Sequence, residues 1–152
     1  MIKVLFICHG NICRSPMAEF VLKDMVEKMG IADQFHIESA ATSTEELGNP
    51  VHYGTRTKLA SLGISTAGKR ARQLNRKDYE KFDFLIGMEQ INVRNMLRIL
   101  GKDPEDKVWR FLDFGEEPRD IADPWYTGNF DATYRDVLEG CKAFLKYLGF
   151  TE

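Results

Sequence analysis

Cysteine, histidine and proline are all scarce in this chain, which spends only three, three and five of its 152 residues on them. The cysteines, Cys8, Cys13 and Cys141, are odd in number and unevenly spaced. That excludes a disulfide framework and fits free thiols in a reducing cytoplasm. With His9, His36 and His52 they make no paired spacing for zinc. An excess of one charge is lacking as well. Lys and Arg total 21 against 23 Asp and Glu, a net charge of -2, so no global basic field argues for nucleic acid or an anionic membrane. No run approaches the ~18 apolar residues of a membrane span. The opening MIKVLFICHG carries one lysine, a short apolar stretch and no small-residue cleavage site, so it reads as a strand and not as a signal peptide. Repeats, low-complexity tracts and interdomain linkers are missing too, which leaves one domain over residues 1–152.

What is present is ordinary soluble composition, 43% hydrophobic and 29% charged, in a chain long enough to bury a core without staples. Ile2 to Ile7 is the apolar run of a parallel strand buried on both faces. Ser15 and Pro16 read as the N-cap and first residue of a helix whose stripe is Ala18, Val21, Leu22, Met25 and Met29, stopped near Gly30. Further strands are expected at Phe35–Ala41, Phe82–Met88 and Val108–Leu112, and further helices at Thr55–Leu62 and around Val93–Leu100. Lys69–Lys81 is basic with little period and reads as a solvated face. Residues 113–129 read as a long loop, and Tyr134, Val137, Leu138, Cys141, Leu145 and Leu148 give the clearest helical stripe. Cys141 on that stripe is expected in the core. Alternating strands and helices imply an α/β sandwich with a parallel sheet, whose ligands sit beyond the carboxyl ends of the strands.

One such end carries the stretch CHGNICRSP, Cys8 to Pro16. A strand, a short loop and a helix N-terminus present backbone N–H groups to an anion. Gly10 allows close backbone approach and Asn11 tolerates left-handed dihedrals. Arg14 offers a planar fork for two phosphate oxygens. The nucleotide-binding loop of similar shape uses lysine, whereas here a sulfur faces the phosphorus. A positive loop favours the thiolate, so Cys8, five residues and Arg14 read as covalent phosphoryl transfer through a phosphocysteine. Cys13, adjacent to the arginine, cannot share one phosphate with it in that way.

Cys8–Pro16 resembles the signature of low-molecular-weight protein tyrosine phosphatases. The segments ESAATS at Glu38–Ser43, GNPVHY at Gly48–Tyr53, ARQL at Ala71–Leu74 and DPWY at Asp123–Tyr126 are similar to that family's segments and stand in its order. The resemblance implies a three-layer α/β sandwich, a four-stranded parallel sheet ordered 2-1-3-4 with helices on both faces. It implies a phosphate-binding loop of Cys8, His9, Gly10, Asn11, Ile12, Cys13, Arg14 and Ser15. Within it, Cys8 would be the nucleophile, Arg14 the phosphate clamp, Ser15 a hydrogen-bond donor to the sulfur, and Asp123 the general acid and then base. Asn11 and Ser39 would support the loop from behind. Ile12, Tyr53, Trp125 and Tyr126 would wall a slot for a flat ring, with His9 at the rim. Cys13 is either a packed residue or the partner of Cys8 in a protective disulfide. No metal or cofactor is implied, and the partner is a phosphotyrosine-containing protein or peptide, met by a monomer or weak dimer.

Asp113 and Asp120 compete with Asp123 by composition alone; the Asp-Pro-aromatic context favours Asp123. Two positions depart from the family pattern: Lys69 stands where many relatives have histidine, and Glu89 where many have aspartate. An arsenate reductase needs two further cysteines, and residues 75–140 have none. A phosphocysteine carrier has no need of Arg14 or of Asp123-Pro124. A phosphopeptide-binding module without activity needs no nucleophile. A protein arginine phosphatase typically carries threonine where this chain has Ile12, and the branched apolar side chain favours an aromatic ester.

Overall fold

A computed structural model describes residues 1–150. Its elements run β1 (Ile2–Cys8), α1 (Arg14–Lys28), β2 (Phe35–Ala41), α2 (Tyr53–Ala60), α3 (Lys77–Lys81), β3 (Phe84–Gly87), α4 (Gln90–Leu100), β4 (Val108–Arg110), α5 (Pro124–Thr127) and α6 (Phe130–Tyr147). The four strands form one parallel sheet in the order β2-β1-β3-β4. This is the expected α/β architecture.

β1 is central, and its alternating side chains feed two cores. Val4, Phe6 and Cys8 join Met17, Leu22, Val137, Phe144 and their neighbours from α1 and α6. Leu5 and Ile7 join Leu74, Phe82, Met96 and Leu100 on the other face. Burial on both faces explains why β1 reads as a continuous apolar run. Gly87 ends β3 under α4, where a Cβ would meet Met96 Sδ at 3.0 Å and Asn92 Cβ at 3.1 Å.

Several boundaries differ from the expectation. The first helix begins at Arg14, with Cys13 as N-cap and no side-chain cap. Ser15 does not cap because its hydroxyl is used by Cys8 and Asn11. The third strand is shorter than Phe82–Met88, and the fourth stops at Arg110, after which Phe111–Phe114 forms a 3-10 turn. Residues 113–129 contain the four-residue helix α5, started by Asp123. Lys69–Lys81 is a solvated basic face only in part: Arg70, Arg76, Lys77 and Lys81 are exposed, while Lys69 and Arg72 turn inward. Lys69 bonds the Ser39 carbonyl at 2.8 Å, Arg72 pairs with Asp78 and Glu38, and α3 follows. These cations turn inward because buried carboxylates, Glu19 and Asp78, need partners.

Candidate active site

The β1–α1 loop wraps around the Cys8 sulfur. The amides of Asn11 and Ser15 point at Sγ from 3.3 and 3.4 Å, and the Ser15 hydroxyl lies 3.0 Å from it. Asn11 adopts φ 59°, a left-handed conformation that its short amide tolerates. Its Nδ2 donates to Ser15 Oγ at 2.8 Å and to Ser39 Oγ at 2.9 Å, and its Oδ1 accepts from the Arg72 amide at 3.3 Å. The Ser39 hydroxyl in turn donates to buried Glu19. Asn11, Ser15 and Ser39 are therefore buried behind the loop and lock its shape. Among the described residues, the amides of Gly10, Ile12, Cys13 and Arg14 bond no protein acceptor, which leaves a ring of donors at the start of α1.

Arg14 is 1% exposed, and three elements hold it. Its Nη1 donates to the Ile121 carbonyl at 2.8 Å, and its Nη2 to Glu89 at 3.0 Å and Asp123 Oδ2 at 3.2 Å. Burial opposes its charge, but Cys8, Glu89 and Asp123 together raise the guanidinium above its ordinary range. It is a permanent cation. Its Nε is buried without a partner, an unmet donor in a residue that lines the cavity in front of the loop.

That space is a cavity of about 390 Å³ lined by Cys8, His9, Gly10, Ile12, Cys13, Arg14, Glu45, Glu46, Asp123, Trp125 and Tyr126. Asp123 caps α5, accepting from the Trp125 amide at 3.0 Å through Oδ1. Asp113 and Asp120 lie outside it, both bonded to Arg110. Trp125 and Tyr126 form an exposed wall, and Ile12 adds an apolar side chain to the lining. His9 sits at the rim, paired with Glu45 at 2.8 Å. Cys13 faces the cavity too; burial, then Cys8 and Asp123, push its thiol up to about 12. Cys141 is fully buried, and burial raises it further.

Tyr53 is the correction. It does not line the cavity, and its ring is 69% exposed beside the Arg56 guanidinium. As the first residue of α2 it projects toward the residue three positions on. His52 takes the supporting position instead, stacked on Phe130 at 5.4 Å and edge-on to Trp125 at 5.5 Å. Sequence reasoning missed His52, Phe130, Glu45 and Glu46, because no motif marks them. Glu89 was visible only as a departure, and the structure shows what it does. It reaches Arg14 while capping α4.

A loop wrapped around a buried thiol, a fixed arginine and a carboxylate thus line one cavity. A family model described as low molecular weight phosphotyrosine protein phosphatase matches residues 3–151. The Bacillus subtilis low molecular weight protein-tyrosine-phosphatase YfkJ is 39% identical over 95% of this chain and 94% of its own, and its crystal structure superposes with a TM-score of 0.93. The low molecular weight protein tyrosine phosphatase of Streptococcus pyogenes is 40% identical, covering 100% of this chain and 95% of that one, at a TM-score of 0.88. A Drosophila arginine phosphatase is 29% identical over 99% and 100% of the two chains, at 0.87. The chain belongs to the low molecular weight phosphotyrosine protein phosphatase family. It is a phosphatase, a hydrolase of phosphate esters.

Proposed function

We propose that the protein hydrolyses phosphotyrosine, in proteins or peptides and in small aryl phosphates, through a phosphocysteine on Cys8 and without a metal. The phosphate occupies the loop, met by its unbonded amides and by Arg14, whose unpartnered Nε supplies a further donor. The Cys8 thiolate attacks phosphorus. The S–P bond forms, the bond to the phenolic oxygen breaks, and Asp123 gives that oxygen a proton. Tyrosine leaves as a weak base only when protonated, its hydroxyl pKa being near ~10, so the acid matters. Water then attacks phosphorus, Asp123 takes its proton, and the S–P bond breaks with Ser15 donating to the departing sulfur. Arg14 carries equatorial charge through both steps.

The observation that carries this reading is the cavity in which Cys8, Arg14 and Asp123 meet under an aromatic wall. Ile12 gives that slot an apolar side, which suits a phenyl ring better than a phosphoguanidinium. Cys13 serves as a guard: peroxide oxidises Cys8 to the sulfenic acid, the Cys13 thiol attacks it with loss of water, and the disulfide is later reduced by thiol. The deciding experiment compares phosphotyrosine, phosphoarginine and arsenate in parallel. Phosphotyrosine is expected to turn over fastest, and Cys8→Ser to be inactive on p-nitrophenyl phosphate. Retained activity in Cys8→Ser, or faster turnover of phosphoarginine, refutes the assignment.

A further inference from the structure

A second cavity, of about 450 Å³, shares no lining residue with the catalytic one. Val51, Ala60 and Ile64 give it an apolar floor, and Arg56, Lys69 and Arg70 line it with cations. No carboxylate lines it. Among the described residues, Arg56 and Arg70 make no ion pair, as is also true of Arg76, Arg94, Arg98 and Arg135; what sets these two apart is that they line one cleft with Lys69 and without a carboxylate. Cations left facing an apolar cleft focus a positive potential there. Two exposed guanidinium forks match the oxygens of a phosphate. The volume suits a small molecule.

Lys69 connects this cleft to the catalytic loop. Its ammonium donates to the Ser39 carbonyl at 2.8 Å and lies 3.6 Å from Glu19. An ammonium has three donors, so a third is available to a ligand. From Ser39 a chain of contacts leads inward: Asn11 Nδ2 to Ser39 Oγ at 2.9 Å, Asn11 Nδ2 to Ser15 Oγ at 2.8 Å, and Ser15 Oγ to Cys8 Sγ at 3.0 Å.

We infer that this cleft binds a small phosphorylated molecule with an apolar body, and that its occupancy slows the phosphatase through Lys69. The dianion sits between Arg56 and Arg70 and draws the Lys69 ammonium from Glu19 and Ser39. The support behind Asn11 and Ser15 then loosens, and Cys8 is held less well for attack and departure. Binding at the cleft stands apart from the phosphotyrosine reading; only the effect on turnover rests on it.

The test uses phenylphosphonate, a non-hydrolysable dianion with an aromatic body. The catalytic loop is first filled with vanadate, and backbone amide NMR shifts are followed as phenylphosphonate is added. Shifts at Gly63–Arg70 are expected, with affinity reduced roughly tenfold or more in Arg56→Gln/Arg70→Gln. An unshifted Gly63–Arg70 segment overturns the site. In p-nitrophenyl phosphate kinetics without vanadate, phenylphosphonate is expected to raise KM by competition and also to lower kcat by roughly twofold or more. The double variant should keep the competition and lose the fall in kcat. Purely competitive inhibition of the wild type overturns the route through Lys69. Amide shifts are read without turnover, so failure on phosphotyrosine is a separate result.

Discussion

Asp123 is held from two sides, by the Trp125 amide on Oδ1 and by Arg14 on Oδ2. In the proposed mechanism a phosphate arriving at Arg14 would compete for the second contact and leave that oxygen free to face the leaving group. Asp123→Ala is therefore expected to slow phosphotyrosine turnover by roughly 10²–10⁴. The loss should shrink along a series of aryl phosphates as the leaving phenol becomes more acidic. Equal losses across the series would remove Asp123 from the acid role. Cys13 is set apart from Cys8 by its surroundings. Burial and the charges of Cys8 and Asp123 push its thiol up to about 12, so Cys13 is a poor nucleophile toward a phosphate ester while Cys8 is charged; oxidation of Cys8 to a neutral sulfenic acid removes one of those charges. In wild type, inactivation by peroxide should be reversed by thiol. In Cys13→Ser that recovery should fall, and full recovery there would rule out the guard role.

At the scale of elements, the site is a junction of four pieces: the β1–α1 loop, the loop before α2, the start of α4 and the turn at α5. Behind them α2 and α6 pack tightly at Gly54, where a Cβ would come within 2.3 Å of the Phe130 ring. Phe130 opens α6 and stacks on His52, which abuts Trp125. Gly54→Ala is expected to destabilise by about 1–3 kcal/mol, as overpacking does, and to raise KM for aryl substrates by displacing the aromatic wall. Urea unfolding and p-nitrophenyl phosphate kinetics measure the two. Unchanged values for both would show that α2 and α6 yield freely there. The short helices α3 and α5 were not legible in the sequence, because four or five residues carry no period. What fixes them is local bonding: Asp78 accepts the Asn75 amide, and Asp123 accepts the Trp125 amide.

Over the whole molecule, one charge network ties β2 to the chain leading into β3. Glu38 meets His36, Arg72 and Lys81, and Arg72 continues to Asp78. Burial pushes Glu38 up, but the bonds from His36 and Lys81 and the charge of Arg72 reverse that and hold it at about 2. A carboxyl depressed in the folded state stabilises above its unfolded value of ~4.3 and loses that contribution as pH falls toward its folded value. Glu38→Gln should therefore melt below wild type at pH 7, with the gap closing between about pH 4.5 and 2. A gap independent of pH would mean that Glu38 acts by packing alone.

By itself the sequence determined the parallel sheet and the loop from Cys8 into a helix, which begins at Arg14. These follow from local patterns: an apolar run buried on both faces and a loop entering a helix. Only the tertiary structure decided what surrounds Arg14. Glu89, the Ile121 carbonyl and Asp123 lie 75 to 109 positions away along the chain, and no local pattern announces such contacts. It also moved Tyr53 out to solvent and put His52 behind Trp125, because the direction of a side chain at a helix start depends on where α2 meets α6. It turned Lys69 and Arg72 inward, since a charge run looks the same in sequence whether it faces water or a buried carboxylate.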